Sequence, residues 1–183
     1  VIEGKKVKPG MISKTKDGLF VLSEKQIYKY SKDSQEIKVT SPIKTTGNKK
    51  LYISEDNDMF IYDKVVEKID KKGNREVIIK FKKPISTIFS KGDNLFISFK
   101  HSGLVYHNLK TNKTTDYRKN RLLSRNLPTG ATSFYLEGKK LWLGNDESGL
   151  YEVDVTNTES PKLVQHHTYN KTNAKSFSSS SVS

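Results

Sequence analysis

The side chains best equipped to hold a polar or charged ligand stand in a few short stretches. Arg118-Lys119-Asn120-Arg121-Leu122-Leu123-Ser124-Arg125 brings three guanidinium groups, those of Arg118, Arg121 and Arg125, into one basic segment. A guanidinium presents paired N–H donors that match a carboxylate or a sulfate, so the chemistry indicated there is anion recognition. Lys100-His101-Ser102 adds an ammonium group, an imidazole and a hydroxyl; Asp146-Glu147-Ser148 adds two carboxylates and another hydroxyl. Glu55-Asp56-Asn57-Asp58 is a further acidic turn. The candidate ligand-binding residues are therefore Lys100, His101, Arg118, Arg121, Arg125, Asp146 and Glu147. The ordinary alternative is that all of these are solvated turns.

Catalysis and metal binding find less support. His166-His167 has no third ligand at a useful spacing, and neighbours on a strand point to opposite faces. Glu55, Asp56 and Asp58 lack the glycine and the terminal glutamate of a calcium loop. There is no cysteine, and no nucleophile elbow, phosphate loop or paired-histidine motif. Asn112-Lys113-Thr114 and Asn170-Lys171-Thr172 fit a glycosylation sequon, a pattern common by chance. The expectation is a chain with no catalytic residues, no metal and no cofactor.

Charge narrows the partners without choosing one. Thirty-three Lys and Arg against twenty Asp and Glu give a net charge of +13, which raises the local concentration of anions. Acids are interleaved throughout, and exposed aromatics do not alternate with a basic groove, so a nucleic-acid partner is not expected. No apolar run approaches the roughly 20 residues that span a bilayer. Since the sequence starts at Val1, it is read as a piece of something longer whose address signal lay elsewhere.

The elements that must position these residues show as a repeat. Leu141-Trp142-Leu143-Gly144 is followed by Gly149-Leu150-Tyr151; Leu95-Phe96-Ile97 by Gly103-Leu104-Val105-Tyr106; Leu51-Tyr52-Ile53 by Met59-Phe60-Ile61-Tyr62; and Leu19-Phe20-Val21 by Ile27-Tyr28. Each copy sets an aromatic residue (Phe20, Tyr52, Phe96, Trp142) between aliphatics. A bulky apolar partner follows at a fixed interval (Tyr28, Phe60, Leu104, Leu150). Apolar residues alternate at period two between clusters of Gly, Asn and Asp, and there is no helical periodicity. Units of about 30 to 46 residues with four short strands each have the size of a β-propeller blade. The fold expected is all-β, a β-propeller with about four four-stranded blades present, as a fragment of a larger propeller.

The organisation follows. Residues 1–10 form the end of a preceding blade or a linker, 11–42 blade one, and 43–84 blade two. Residues 85–130 form blade three with its connector, 131–175 blade four, and 176–183 the start of a further blade or a linker. Turns are expected at Lys16-Asp17-Gly18, Gly47-Asn48, Lys71-Lys72-Gly73-Asn74, Gly92-Asp93-Asn94 and Glu137-Gly138-Lys139. Blade two is given Leu51–Ser54 and Phe60–Tyr62 as inner strands and Glu76–Phe81 as its outer one. The repeated aromatics are expected to fill the space between blades rather than stack on ligand. In an up-and-down blade the turn between the second and third strands shares a face with the connector between blades. Lys100–Ser102, Asp146–Ser148, Glu55–Asp58 and the arginine connector are thereby expected on one face.

Asn126-Leu127-Pro128, then Leu141-Trp142-Leu143-Gly144, then Gly149-Leu150-Tyr151 resembles the two-component regulator propeller repeat. That pattern has a lead-in Leu-Pro, a Leu-Trp-Ile-Gly strand and a Gly-Leu-aromatic strand. The third unit keeps Leu95-Phe96-Ile97 and Gly103-Leu104 but has Ser98 in place of the glycine; the first two units lose both glycines. The resemblance implies a sensor segment of a hybrid two-component system histidine kinase and response regulator. Such a segment is periplasmic, part of an inner-membrane protein, and its kinase lies outside this chain. It further implies an oligosaccharide ligand, acidic if the arginines bind it, contact with other blades of the same polypeptide, and a homodimeric parent. Two rivals remain: a propeller used as a protein-interaction scaffold, and a lyase or hydrolase acting on glycans.

Overall fold

The computed structural model describes residues 11–22, 27–31, 36–41, 49–70 and 72–168. The readings given to residues 1–10, to the turn at Gly47-Asn48 and to the tail 176–183 lie outside them. The architecture is all-β, a β-propeller fold of four four-stranded antiparallel blades, with each strand hydrogen-bonded only to its neighbours in sequence. The chain divides into two compact units between Lys82 and Lys83.

In the first unit, sheet one consists of β1 (Met11–Thr15), β2 (Gly18–Leu22), β3 (Ile27–Ser31) and β4 (Glu36–Ser41). Thr15 pairs with Gly18, which leaves Lys16 and Asp17 as the turn. The Thr15 hydroxyl accepts the Asp17 N–H at 3.1 Å. The positive φ sits on Gly18, at +125°, where a glycine has no Cβ to clash.

Sheet two comprises β5 (Lys50–Ile53), β6 (Met59–Tyr62), β7 (Val65–Ile69) and β8 (Arg75–Lys80). This corrects the reading of blade two. Tyr52 lies on the first strand of its sheet and Phe60 on the second, whereas Phe20 and Tyr28 lie on the second and third strands of theirs. The physical reason is that 65–80 holds two strands, not one. The Asp70 carboxylate makes that hairpin possible, accepting the N–H groups of Lys72 and Asn74 and the Asn74 side-chain amide, each at 2.8 Å. The pairing irregularity agrees with the shift: β7 is irregular against β8 between Val66 and Glu67, as β3 is against β4 between Ile27 and Tyr28. Ile53, Ile61 and Ile69, all buried, form a small core against which Phe20, Leu51 and Met59 pack. The turns meet too, since Lys16 donates from its N–H to the Glu55 carbonyl at 3.0 Å and pairs with Asp56 at 2.5 Å.

In the second unit, sheet three comprises β9 (Thr87–Lys91), β10 (Asn94–Phe99), β11 (Gly103–Asn108) and β12 (Lys113–Asp116). Sheet four comprises β13 (Ser133–Glu137), β14 (Lys140–Asn145), β15 (Gly149–Asp154) and β16 (Lys162–His167). Gly92 and Gly138 open two-residue turns at φ +57° and +58°, the first central position at which a type II′ hairpin requires glycine. Between the sheets, the stretch read as a basic connector holds a 3-10 turn at Tyr117–Lys119 and a short helix, α1 (Arg121–Asn126). Asn120 caps that helix, its side-chain oxygen accepting from Leu122 N at 3.0 Å and Leu123 N at 3.3 Å.

One core joins these two sheets. Phe89, Phe96, Leu104 and Tyr106 from sheet three meet Leu136, Leu141, Leu143, Tyr151 and Val153 from sheet four, with Leu123 and Leu127 from the connector. Phe89 stacks on Phe134 across the sheets at 5.9 Å between ring centres. Full burial of one such side chain is worth about 1.5–3 kcal/mol, so this shared face fixes the spacing of the turns above it. Among the repeated aromatics Phe96 is fully buried, while Phe20, Tyr52 and Trp142 are half-buried. Trp142 stacks on His167 at 6.0 Å.

Candidate functional site

Two turns of the second unit define the site. Lys100-His101-Ser102 joins β10 to β11, and Asp146-Glu147-Ser148 joins β14 to β15; both join the second and third strands of a sheet. They meet where His101 Nδ1 lies 3.7 Å from Glu147 Oε2. Both side chains are more than half exposed, so this contact orients more than it stabilises. His101 itself sits in the left-handed region at φ +53°, a conformation that aims the turn at some cost in strain.

Beneath the turns lies a fixed scaffold of backbone contacts. A Cβ on Gly130 would stand 2.6 Å from the Phe99 carbonyl oxygen, so only glycine lets the lead-in to β13 approach β10 this closely. The next amide, Ala131 N–H, donates to the fully buried Ser98 hydroxyl at 2.7 Å. Asn145 completes the support. Its amide donates to the Gly130 carbonyl at 2.6 Å, while its oxygen accepts from Glu147 N at 2.9 Å, Ser148 N at 2.8 Å and the Ser148 hydroxyl at 2.7 Å. The Gly103 N–H donates to the Thr129 carbonyl and ties the other turn to the same lead-in.

These contacts leave two clefts that share His101. The first, of about 200 Å³, is lined by Ser86, Ser98, Thr132, Asn145 and four of the candidate residues, Lys100, His101, Asp146 and Glu147. The second, of about 190 Å³, has an apolar lining of Leu104, Tyr117, Leu123, Leu127 and Pro128, and a polar one of His101, Ser102, Arg118, Ser124 and Thr129.

The arginines are differently placed. Arg118 holds the Asp116 carboxylate with two bonds of 2.7 Å and lies over the Phe99 ring at 4.4 Å. Partial burial of Asp116 opposes its charge, but the hydrogen bonds and charge of Arg118 outweigh that and hold the carboxyl below its ordinary value. Arg121 and Arg125 are exposed on α1 and line neither cleft. The turn Glu55–Asp58, expected beside the others, joins first and second strands of its own sheet. It is therefore not the counterpart of the two site turns. Tyr117 holds the connector by donating to the Thr158 carbonyl at 2.5 Å, and burial pushes its phenol pKa up.

Sequence reasoning passed over Ser98, Asn145 and the leucines of the second cleft. Asn145 could have been found, because an asparagine just before a polar turn closes that turn through its own side chain. Ser98 gave a signal too, as the departure from glycine in its repeat. Among the described residues no group of three or more His, Cys, Asp or Glu is arranged to hold a metal ion. None of the described helices is long and apolar enough to cross a membrane.

No protein-family model matches the sequence, and no curated protein matches it. Solved structures do. The extracellular domain assigned to the one-component system BT4673 of B. thetaiotaomicron aligns with 93% of this chain at 15% identity and a TM-score of 0.60. The corresponding domain assigned to the hybrid two-component system BT3049 of B. thetaiotaomicron aligns with 85% at 18% identity and a TM-score of 0.51. The N-terminal domain of Nup159 aligns with 88% at 13% identity and a TM-score of 0.56. The chain spans 23%, 24% and 44% of these structures respectively. At such identities the likeness is one of fold, and the fold they share with this chain is the β-propeller.

Proposed function

We propose that this chain is part of the ligand-recognition segment of a hybrid two-component system histidine kinase and response regulator. In this reading it lies in the periplasm as part of an inner-membrane protein, works as a homodimer, and binds an oligosaccharide. The kinase chemistry belongs to other parts of the polypeptide, and this segment performs no catalysis. The observation that carries the proposal is the gathering of Lys100, His101, Asp146 and Glu147 around one cleft on a rigid scaffold, the arrangement expected of a binding site rather than of ordinary turns. Resemblance of the repeats to two-component regulator propellers and likeness in fold to sensor extracellular domains support the same reading. Ligand shifts such a sensor only through different affinity for two packings of blade and neighbour.

The test is calorimetric titration of oligosaccharides into the full-length polypeptide, with product analysis alongside. Saturable binding without turnover, weakened about tenfold by Glu147→Ala, is the expected result. Release of shortened glycan would move the glycan lyase or hydrolase reading to the front. A second reading, a protein-interaction scaffold, draws on Leu122, which is 71% exposed on α1 next to Arg121. Absence of any saccharide binding, together with loss of a protein partner on Leu122→Ser, would favour it.

A further inference from the structure

The two clefts that meet at His101 are each small. At about 200 and 190 Å³ either one alone falls below the roughly 300–1,000 Å³ of a ligand pocket, while the pair together reaches that range. The turn Lys100–Ser102 stands between them, and its central residue lines both. A ligand that crosses this ridge would bury itself on two sides of one histidine.

The linings differ in kind. In the first cleft the carboxylates of Asp146 and Glu147 offer acceptors for hydroxyl groups, beside Ser86 and beside Thr132, whose hydroxyl already donates to the Gly144 carbonyl at 3.2 Å. The two carboxylates outnumber the one ammonium group, that of Lys100, so no net positive charge is presented. In the second, Arg118 is the cation, and Asp116 already pairs with it. Neither half favours a carboxylate or sulfate. The second cleft is lined chiefly by apolar surface, from Leu104, Tyr117, Leu123, Leu127 and Pro128, over which the hydroxyls of a second bare sugar ring would lose water, while Ser102, Ser124 and Thr129 supply only a few polar partners. A short apolar group with one carbonyl suits it, the carbonyl remaining beside Ser124 and His101.

We infer that the two clefts are halves of a single site, and that its ligand is a neutral saccharide carrying a short acyl substituent, sugar in the first cleft and acyl group in the second. This rests on the reading of the chain as a saccharide-binding sensor segment and adds the ligand's chemistry to it. It also departs from the acidic glycan to which three arginines point in the sequence.

Titration of the full-length polypeptide with N,N′-diacetylchitobiose, with cellobiose and with a β-1,4 disaccharide carrying a uronic acid tests the inference. The first two share linkage and ring form and differ at C2 of each ring, where the acetylated sugar carries an acetamido group and cellobiose a hydroxyl; one of the two acetamido groups would enter the second cleft. About tenfold tighter binding of the acetylated sugar is expected, the discrimination typical of one small apolar group in a fitted pocket. Ser124→Trp, which fills the second cleft from an exposed position, should bring that ratio back to one. Equal binding of the first two sugars, or tightest binding of the uronic acid, overturns the inference and leaves the sensor reading standing. A preference that survives Ser124→Trp also overturns it. If none of the three binds, both fall.

Discussion

His166 Nε2 lies 2.6 Å from the carbonyl oxygen of Ser148, and the His166 ring stacks on Tyr151 with centroids 3.9 Å apart. A carbonyl only accepts, so the proton of this bond sits on Nε2. Ser148 in turn accepts from the Tyr151 hydroxyl at 3.0 Å and donates to Asn145. The outer strand β16 is thus bonded to the turn that carries Glu147. Replacing His166 by Phe keeps the stacking and removes the bond. An exposed site places the cost near the low end of a hydrogen bond's net worth, about 0.5 kcal/mol. Urea unfolding checks this, and an unchanged midpoint would show that the bond carries no weight.

Gly149 and Gly92 both have positive φ, +93° and +57°, yet they should respond differently to a methyl group. A Cβ on Gly149 would stand 2.3 Å from the His167 carbonyl oxygen, a collision with backbone, whereas nothing lies within 4 Å of the corresponding position on Gly92. Gly92→Ala should cost about 1 kcal/mol from left-handed strain alone. For Gly149→Ala the figure is about 3 kcal/mol, because strand displacement is added to the strain. Thermal melts of the two variants give the comparison; equal losses would mean that β16 can move aside freely.

Ser98 stands where the related repeat has glycine, and the structure gives it work. Its hydroxyl is the acceptor for the buried Ala131 N–H. Ser98→Gly would bring the third unit closer to the repeat pattern and still destabilise it, by about 1–3 kcal/mol, the cost of a buried amide left without a partner. Hydrogen exchange at Ala131 should speed up in this variant ahead of the amides of β14. No change in exchange there would contradict the role assigned.

Acid should weaken the second unit in two stages. His107 is 2% exposed, its Nδ1 lies 2.9 Å from the Thr114 hydroxyl, and burial lowers its pKa from 6.5. With a folded-state value below the unfolded one, its contribution is complete above about pH 6.5 and declines as pH falls toward the folded value. Asp116 acts later, since its depressed carboxyl contributes stability above its ordinary value of 3.8 that is lost as pH falls through the folded value. Stability measured from pH 8 to 3 should show both declines. His107→Gln should flatten the first and Asp116→Asn the second; a variant that leaves its own stage unchanged removes that assignment.

Much of this fold can be read from the chain because short strands carry their own signals. Phe96 with Leu104, and Trp142 with Leu150, fall on second and third strands as their spacing requires, and Gly103 and Gly149 open third strands at positive φ. Tyr52 and Phe60 have the same spacing and still occupy first and second strands, because spacing records which strands are adjacent and not how many precede them. The deciding residue was Asp70, whose side chain turns Val65–Ile69 back on Arg75–Lys80. At the site, the turns 100–102 and 146–148 were legible as polar loops on strands of known order. The state of Arg118 was not, since its neutralising partner is fixed by the chain's path from β12 into the 3-10 turn and leaves no periodic trace. Helix α1, of six residues, is too short for periodicity to reveal and depends on Asn120 and on the burial of Leu123.

Every strand in these sheets pairs with the strand before or after it in sequence. The hydrogen-bonding of a blade is therefore complete once its own few dozen residues are made, with no strand left waiting for a distant partner. For a chain synthesised from one end, such low contact order lets each blade form as it emerges. What must wait is the apolar contact between neighbours, such as Phe89 with Phe134. A newly made blade thus presents its hydrophobic face before its neighbour arrives, and an aggregation-prone interval in biosynthesis falls between the completion of β12 and that of β15, which supplies Tyr151 and Val153 to the shared core.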